Sequence, residues 1–448
     1  MSMTIAQRAQ QALLAGNRVE ALALAHAAVK SWAMADLSAI ADIATVAGVF
    51  SHCDRPDLAM PLFGRASAMA PGHPGLLFNL ATAQRACGAL AEAEATIGRL
   101  LAINPADGEA HYLRVSLRRQ RPGEPGQAMM ETALASAPDA ITPSRVALHF
   151  ALAKALDDQD EFARAFAHFQ AGNTMRRRAM RYDPADDLAV MTALGADAPQ
   201  PATQAGPATG GPIFILGLPR SGTTLVERVL SAHSDVTAGG ELEAFPQAVV
   251  SLTGPVSSRQ EFVARSRQVP PADLARRYRD LVAARSGATP WFTDKLPLNG
   301  LYLGLIRAAF PAAPVIVLER DAMANGFAMY STLFAQAYPF SYDLAETGRY
   351  MAGWRGLMRQ WQDRFGDSIH PVGYEAFVHS PEDRIGEILR YCGLPWQAAC
   401  LAPHQSAQPV SSASAVQVRQ PIHTRSAGRW KHYEPWLSPL AEALARAG

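Results

Sequence analysis

The chain has 448 residues, more than one growing hydrophobic core serves, so two domains are expected. Its hydrophobic fraction of 49% is that of a globular protein, and 41 Lys and Arg against 40 Asp and Glu leave a formal charge of +1, which speaks against a general nucleic-acid or membrane-surface binder but leaves room for a local anion site. The four cysteines, Cys53, Cys87, Cys392 and Cys400, form no CxxC pair, and the histidines form no HExxH or ligand cluster, so neither a disulfide scaffold nor a metal is expected.

The first segment, MSMTIAQRAQQALLAG, reads as an amphipathic helix and not as a signal peptide. No uninterrupted apolar stretch of 18 residues follows, so no membrane span is expected and the cytoplasm is the expected location. Residues 1–192 are rich in Ala and Leu at helical spacing. Pro71 and Pro105 lie 34 residues apart, as do Ala59 and Ala93, and a break is predicted near Cys87-Gly88. Small residues let antiparallel helices approach, and the prolines end each second helix. Further units are predicted around His111 to Pro138 and Val146 to Met175, with a pair of helices in residues 5–50. This pattern resembles the tetratricopeptide repeat family, whose units stack into a curved superhelix. Such arrays capture a protein or peptide partner, support a neighbouring domain or form a homodimer, and all three readings stay open. Residues 193–210, rich in Pro, Ala and Gly, are the predicted linker.

Residues 211–448 form the predicted second domain. Its apolar run PIFILG reads as a buried strand, Gly217-Leu218-Pro219-Arg220-Ser221-Gly222-Thr223-Thr224 follows, and LVERVLSAH reads as a helix. Strand, glycine-containing turn and helix are the context of a phosphate cradle, in which backbone N–H groups and the helix N-terminus hold an anion. The spacing fits G-x-x-x-x-G-K-[ST], except that Thr223 stands at the lysine position and Arg220 supplies charge from within the loop. Without that lysine, a kinase-like or ATPase-like phosphotransferase loses favour. A second β-type run, PVIVLER, ends at Arg320, and in an open α/β sheet ligands bind beyond such ends.

PRSGTTL at 219–225, DV…GGE at 235–241, DKLP at 294–297, RD at 320–321, YE at 374–375 and PIHTRSAGRW at 421–430 together resemble the sulfotransferase superfamily. In pattern the chain is similar to bacterial proteins that fuse tetratricopeptide repeats to a sulfotransferase domain, and more distantly to protein-tyrosine sulfotransferases. The resemblance implies a helical repeat solenoid followed by an α/β domain with a central parallel sheet. It implies 3′-phosphoadenosine-5′-phosphosulfate (PAPS) as donor and adenosine 3′,5′-bisphosphate as product. Arg220, Ser221, Gly222, Thr223 and Thr224 would then surround the 5′ phosphosulfate, Arg320 would meet the 3′ phosphate, and Tyr374 would lie near the adenine. The family usually has a serine eight residues after that arginine; here the residue is Ala328, with Ser331 and Thr332 nearby.

For the chemistry, a hydroxyl acceptor needs a base and the developing charge needs a cation. Glu241 matches the glutamate assigned as general base, with Glu243 as second choice, and Lys295 matches the lysine that stabilises the bridging oxygen. Asp294 is read as orienting Lys295 or capping the next helix. Ser414 aligns with a serine near the donor sulfate. The basic stretch Ser411 to Tyr433, with Arg419, Arg425, Arg429 and Lys431 and with Trp430 beside Arg429, reads as a closing flap or as a solvated loop. His233 reads as a structural residue at a helix end. Tyr338, Phe340 and Tyr342 are either an acceptor wall or core. The acceptor stays open: a peptide or protein is favoured by the repeats, beside small metabolites, lipids and glycans. Two alternatives stand beside sulfuryl transfer, another phosphotransferase of the phosphate-loop class and a degenerate nucleotide-binding domain on a repeat scaffold.

Overall fold

The structure, a computed structural model, describes residues 3–34, 39–136, 141–196, 208–283, 289–334, 337–406, 408–410, 412 and 414–446. It divides into two compact units, one comprising Met1–Arg176 with Ala407–Gln417, the other Arg177–Ser406 with Val418–Gly448.

In its longer stretch, Met1–Arg176, the regular elements of the first unit are all helices among the described residues. Helices Ile5–Leu14 and Arg18–Met34 form one pair, Ile40–His52 and Pro56–Met69 the next, followed by Pro74–Cys87 with Leu90–Ile103, then Gly108–Leu117, Pro125–Ala135, Pro143–Asp158 and Phe162–Arg178. Residues 5–50 therefore hold parts of three helices and not one pair, because Gly16 turns at φ +77° and splits the run early. Gly88, at φ +85°, supplies the left-handed turn after Cys87 where the break is predicted. Ala59 and Ala93 are both wholly buried, so the 34-residue period marks the contact face of the hairpins. Local caps set the ends: Thr4 forms a capping box with Gln7, Asp107 and Thr142 accept N–H groups of their helices, and prolines open four of them. Within this unit the Val410 N–H donates to the Ala86 carbonyl at 2.9 Å, anchoring the later segment. Pro138 lies outside the described residues.

The second unit is built on a five-stranded parallel sheet: β1 (Gly211–Gly217), β2 (Val236–Thr237), β3 (Trp291–Lys295), β4 (Val315–Glu319) and β5 (His370–Gly373), in the order β2-β3-β1-β4-β5. β1 is central, with Ile215 paired to Lys295 on one side and to Ile316 on the other. A strand covered on both faces carries an unbroken apolar run, and Ile213 to Leu216 are wholly buried. Ile213 and Ile215 join a core with Val226, Val229, Leu230, Ile316 and Phe377. The ring of Phe214 packs instead against Phe245, Tyr278 and Phe310, with centroids 5.8–6.0 Å away.

This unit begins earlier than the predicted 211. Helix α1 (Pro184–Ala196) belongs to it and seats on the long helix Leu344–Phe365, where a side chain at Gly353 would come within 2.6 Å of Leu188. Asp187 of α1 pairs with Arg259 at 2.6 Å. Composition marks the Pro- and Ala-rich stretch but not which neighbour the preceding helix packs on. Residues 197–207 of the predicted linker lie outside the described residues. Among the described residues no helix is long and apolar enough to cross a membrane.

Candidate functional site

Five predicted site segments of the second unit leave the carboxyl ends of the strands: the 218–222 loop after β1, Glu241 after β2, Lys295 at the end of β3, Arg320 after β4 and Tyr374 after β5. A parallel sheet puts those ends along one edge, so distant segments of sequence share one rim.

The loop after β1 is shaped by close approaches. Gly222 enters the helix α2 (Thr223–Ser231) at φ +110°, and a Cβ there would lie 2.5 Å from the Tyr374 ring. Arg220 adopts φ +65°, a left-handed conformation rare for a side-chain-bearing residue. Its carbonyl accepts from Arg320 Nη1 at 2.8 Å, and the Pro219 carbonyl accepts from Asn325 Nδ2 at 2.8 Å. Ser221, Thr223 and Thr224 are buried. Ser221 Oγ and Arg320 Nε are buried and make no hydrogen bond within the protein, so an anion on this loop would satisfy them.

Arg320 stacks under Tyr374, its guanidinium carbon 4.6 Å from the ring centroid, and donates from Nη2 to the Ser426 carbonyl at 2.6 Å. The Tyr374 hydroxyl is 2.6 Å from Ser426 Oγ. Burial draws the Arg320 guanidinium below its ordinary value, and the neighbouring Tyr374 and Glu375 oppose that. Arg429 lies over Phe327 at 5.1 Å and Tyr433 at 5.9 Å, and its Nη1 donates to Ser331 Oγ at 3.4 Å. Ala328 belongs to the helix Ala322–Tyr330; the hydroxyls of Thr332 and Ser331 both turn back to its carbonyl, at 2.8 and 3.5 Å, and Ser331 in addition accepts from Arg429. Trp430 follows, half-buried, on the 3-10 turn Arg429–Trp436. Arg419 sits near Arg228, which it helps hold below the ordinary arginine value after burial, and Arg228 itself donates to the Ser406 carbonyl at 2.7 Å. Ser414 falls in Ala407–Gln417 of the first unit, so the site built from the second unit does not contain it. The predicted flap 411–433 is thus divided between the units, because two parts of it find different cores.

Lys295 is 2% exposed and its Nζ is hydrogen-bonded to Glu241 Oε1, whose side chain is 41% exposed. The Lys295 N–H donates to the Gly240 carbonyl at 3.0 Å. Glu243 is exposed at the start of the helix Ala244–Thr253, two residues from the pair. Asp294 does not orient Lys295 through a hydrogen bond and does not cap a helix. It is wholly buried and accepts from the Tyr278 hydroxyl at 2.8 Å and Asn299 Nδ2 at 3.2 Å, and burial pushes its carboxyl up to about 7. His233 is structural, as read: Nε2 is 3.0 Å from the Pro395 carbonyl and Nδ1 accepts the Asp235 N–H at 3.1 Å. Phe340 and Tyr342 are core. Tyr338 is half-buried at φ +53° and close enough to Glu241 for that carboxylate, after burial, to raise its hydroxyl above the usual tyrosine range.

Four residues escape a reading by motif: Ser426, Asn325, Glu227 and Thr293. Ser426 stands inside PIHTRSAGRW and Thr293 one residue before DKLP, so their neighbourhood is legible though their contacts are not. Glu227 and Asn325 sit on helices, where a polar residue reads as a solvated face.

Residues 212–398 match the Sulfotransferase family and residues 54–117 match the Tetratricopeptide repeat. An uncharacterized protein of Aquifex aeolicus (strain VF5) is 30% identical over 404 residues, covering 86% of this chain and 52% of that one. The protein-tyrosine sulfotransferase of Drosophila melanogaster is 26% identical over 234 residues, 49% of this chain and 46% of that one. The chain thus spans about half the length of either relative. Among solved structures, the sulfotransferase domain from the Synechococcus PCC 7002 olefin synthase is similar at 21% identity, over 52% of this chain and 91% of that one, with a TM-score of 0.38.

Proposed function

We propose that this chain, whose residues 212–398 match the sulfotransferase family and whose residues 54–117 match the tetratricopeptide repeat, moves a sulfuryl group from PAPS to a hydroxyl on a peptide or protein. The observation that carries the reading is the ion pair of buried Lys295 with half-open Glu241, on the same strand edge as the loop 218–222. Thr223 at the lysine position of the loop speaks against a phosphotransferase of that class.

The donor fits the residues. The buried hydroxyl of Ser221, the hydroxyls of Thr223 and Thr224, the α2 N-terminus and Arg220 suit a phosphosulfate, while Arg320, Arg429 and Ser331 suit the second phosphate and Tyr374 offers an aromatic face. Bound there, PAPS supplies an activated sulfuryl group. Glu241 takes the proton of the acceptor hydroxyl, whose oxygen bonds to sulfur as the bond to the bridging oxygen breaks. Lys295 faces the charge left on that oxygen. Tyr338 borders Glu241 and suits an aromatic acceptor, so a tyrosine in a peptide is the first acceptor to try. The repeats serve to hold the rest of that polypeptide.

Calorimetric titration with adenosine 3′,5′-bisphosphate, ADP and ATP, each with and without magnesium, tests the donor site. The expected result is magnesium-independent binding of the bisphosphate alone. Preference for ATP with magnesium points to phosphoryl transfer, and no binding at all to a degenerate site. Glu241→Gln is then expected to abolish radiolabel transfer from PAPS to a tyrosine peptide while the bisphosphate still binds.

A further inference from the structure

We propose that Glu227 is a positioning residue of this site: its buried carboxylate clamps the Gly239-Gly240 turn and Thr293, and so sets Glu241 against Lys295. What the clamp is for rests on the sulfuryl-transfer reading; its geometry does not.

Glu227 lies on α2, one turn after Thr223, and only 7% of it is exposed. Its Oε1 accepts from the Gly240 N–H at 3.0 Å and from the Thr293 hydroxyl at 2.9 Å. The Thr293 oxygen in turn accepts the Gly239 N–H at 3.0 Å, and the Gly240 carbonyl accepts the Lys295 N–H at 3.0 Å. Both glycine amides and one carbonyl of the turn are therefore held, and the residue that follows is Glu241. The turn admits little else: a Cβ on Gly239 would lie 2.0 Å from the Thr293 carbonyl, and Gly240 stands at φ +76°. Glu227 thereby joins three site elements that sequence separates, the helix of the phosphate loop, the base turn and the end of β3.

A carboxylate is a costly acceptor to bury when a neutral one would seat the same two donors. Burial holds the Glu227 carboxyl above the usual range, against the charge of Lys295 and the hydrogen bonds from Thr293 and the Gly240 N–H.

The test compares wild type with Glu227→Gln, Glu227→Leu and Thr293→Val. Glutamine keeps an acceptor for both donors, leucine removes it, and Thr293→Val removes the bridging hydroxyl without touching Glu227. In hydrogen exchange followed by mass spectrometry, Glu227→Leu and Thr293→Val are expected to speed exchange of residues 236–244 by about tenfold or more, with the rest of the unit unchanged, and Glu227→Gln to restore protection. In turnover of PAPS with a tyrosine peptide, Glu227→Leu is expected to lower kcat by about 100-fold with donor KM within about threefold, and Glu227→Gln to recover most of it. Unchanged exchange in both Glu227→Leu and Thr293→Val overturns the clamp, as does a loss in KM instead of kcat or a failure of glutamine to rescue protection. If Glu227→Leu does not fold, Thr293→Val and Glu227→Gln decide by the same measures. Wild type that binds no adenosine 3′,5′-bisphosphate sinks the sulfuryl-transfer reading, and the exchange comparison still decides whether Glu227 holds the turn.

Discussion

The two units handle charge in opposite ways. In the helical unit charged pairs sit at the surface: Arg118 bridges Glu94 and Glu124 with its side chain 45% exposed, and Arg164 bridges Glu131 and Glu161 at 52%. Its core is made of apolar contacts among alanine, leucine, isoleucine, valine and phenylalanine, with His111 and His149 among the buried polar side chains. The α/β unit buries Glu227, Asp294, Lys295 and Arg307 outright, and Arg320 nearly so. Ionisable groups are costly to bury, so an assembly of them marks the part of the molecule where charge is put to use, whereas the repeat unit keeps these ion pairs at the surface. The difference also predicts where substitution should hurt.

The largest effect is expected at the buried ammonium. Lys295→Met should lower kcat by on the order of 10³-fold while adenosine 3′,5′-bisphosphate affinity moves little, because the residue faces charge that develops only during transfer. Turnover and calorimetry on one preparation check this, and a parallel loss of bisphosphate affinity would make Lys295 a donor ligand instead.

Next comes the cradle. Gly222→Ala places a methyl against the Tyr374 ring at a positive φ, so bisphosphate affinity should fall by about 10- to 100-fold, equivalent to about 1–3 kcal/mol. Alanine tolerated without loss would mean that the loop rearranges and that its shape is not the binding determinant.

A smaller effect carries a sign. The Asp294 carboxyl is raised in the folded chain to about 7, above its unfolded value near ~4, so the folded state favours its neutral form. Its contribution to stability is full below the unfolded value and is lost as pH rises through about 7. Denaturant unfolding across that window should show the loss, and Asp294→Asn should flatten it, by on the order of 1–3 kcal/mol between its ends. Glu227, raised in the same direction by burial, leaves part of the slope in the variant. A wild-type profile that rises with pH would contradict the burial argument.

The smallest effect belongs to the repeats. Arg118→Ala removes two exposed ion pairs and should change stability by less than about 1 kcal/mol, with bisphosphate affinity unaltered. Thermal unfolding and the same calorimetry check it. A large loss there would erase the contrast between the units.

Much of this protein was legible in its sequence because much of it is local. Helix ends follow from Gly88, Asp107 and the opening prolines, and the hairpin period from Ala59 and Ala93, since caps and close packing act over a few residues. The 218–222 loop was legible for the same reason: the strand, the glycines and the helix are contiguous, and Arg220, Glu241, Lys295 and Arg320 each stand in a short motif. The tertiary structure alone decided the rest. It assigned Pro184–Ala196 to the second unit, divided 411–433 between the two, turned Asp294 toward Tyr278 and Asn299, and brought Glu227, Thr293 and Gly240 together. Those outcomes depend on which surfaces meet in three dimensions, from 5 residues apart for Asp294 and Asn299 to 66 for Glu227 and Thr293, and a parallel sheet gathers strand ends in an order that spacing along the sequence does not encode.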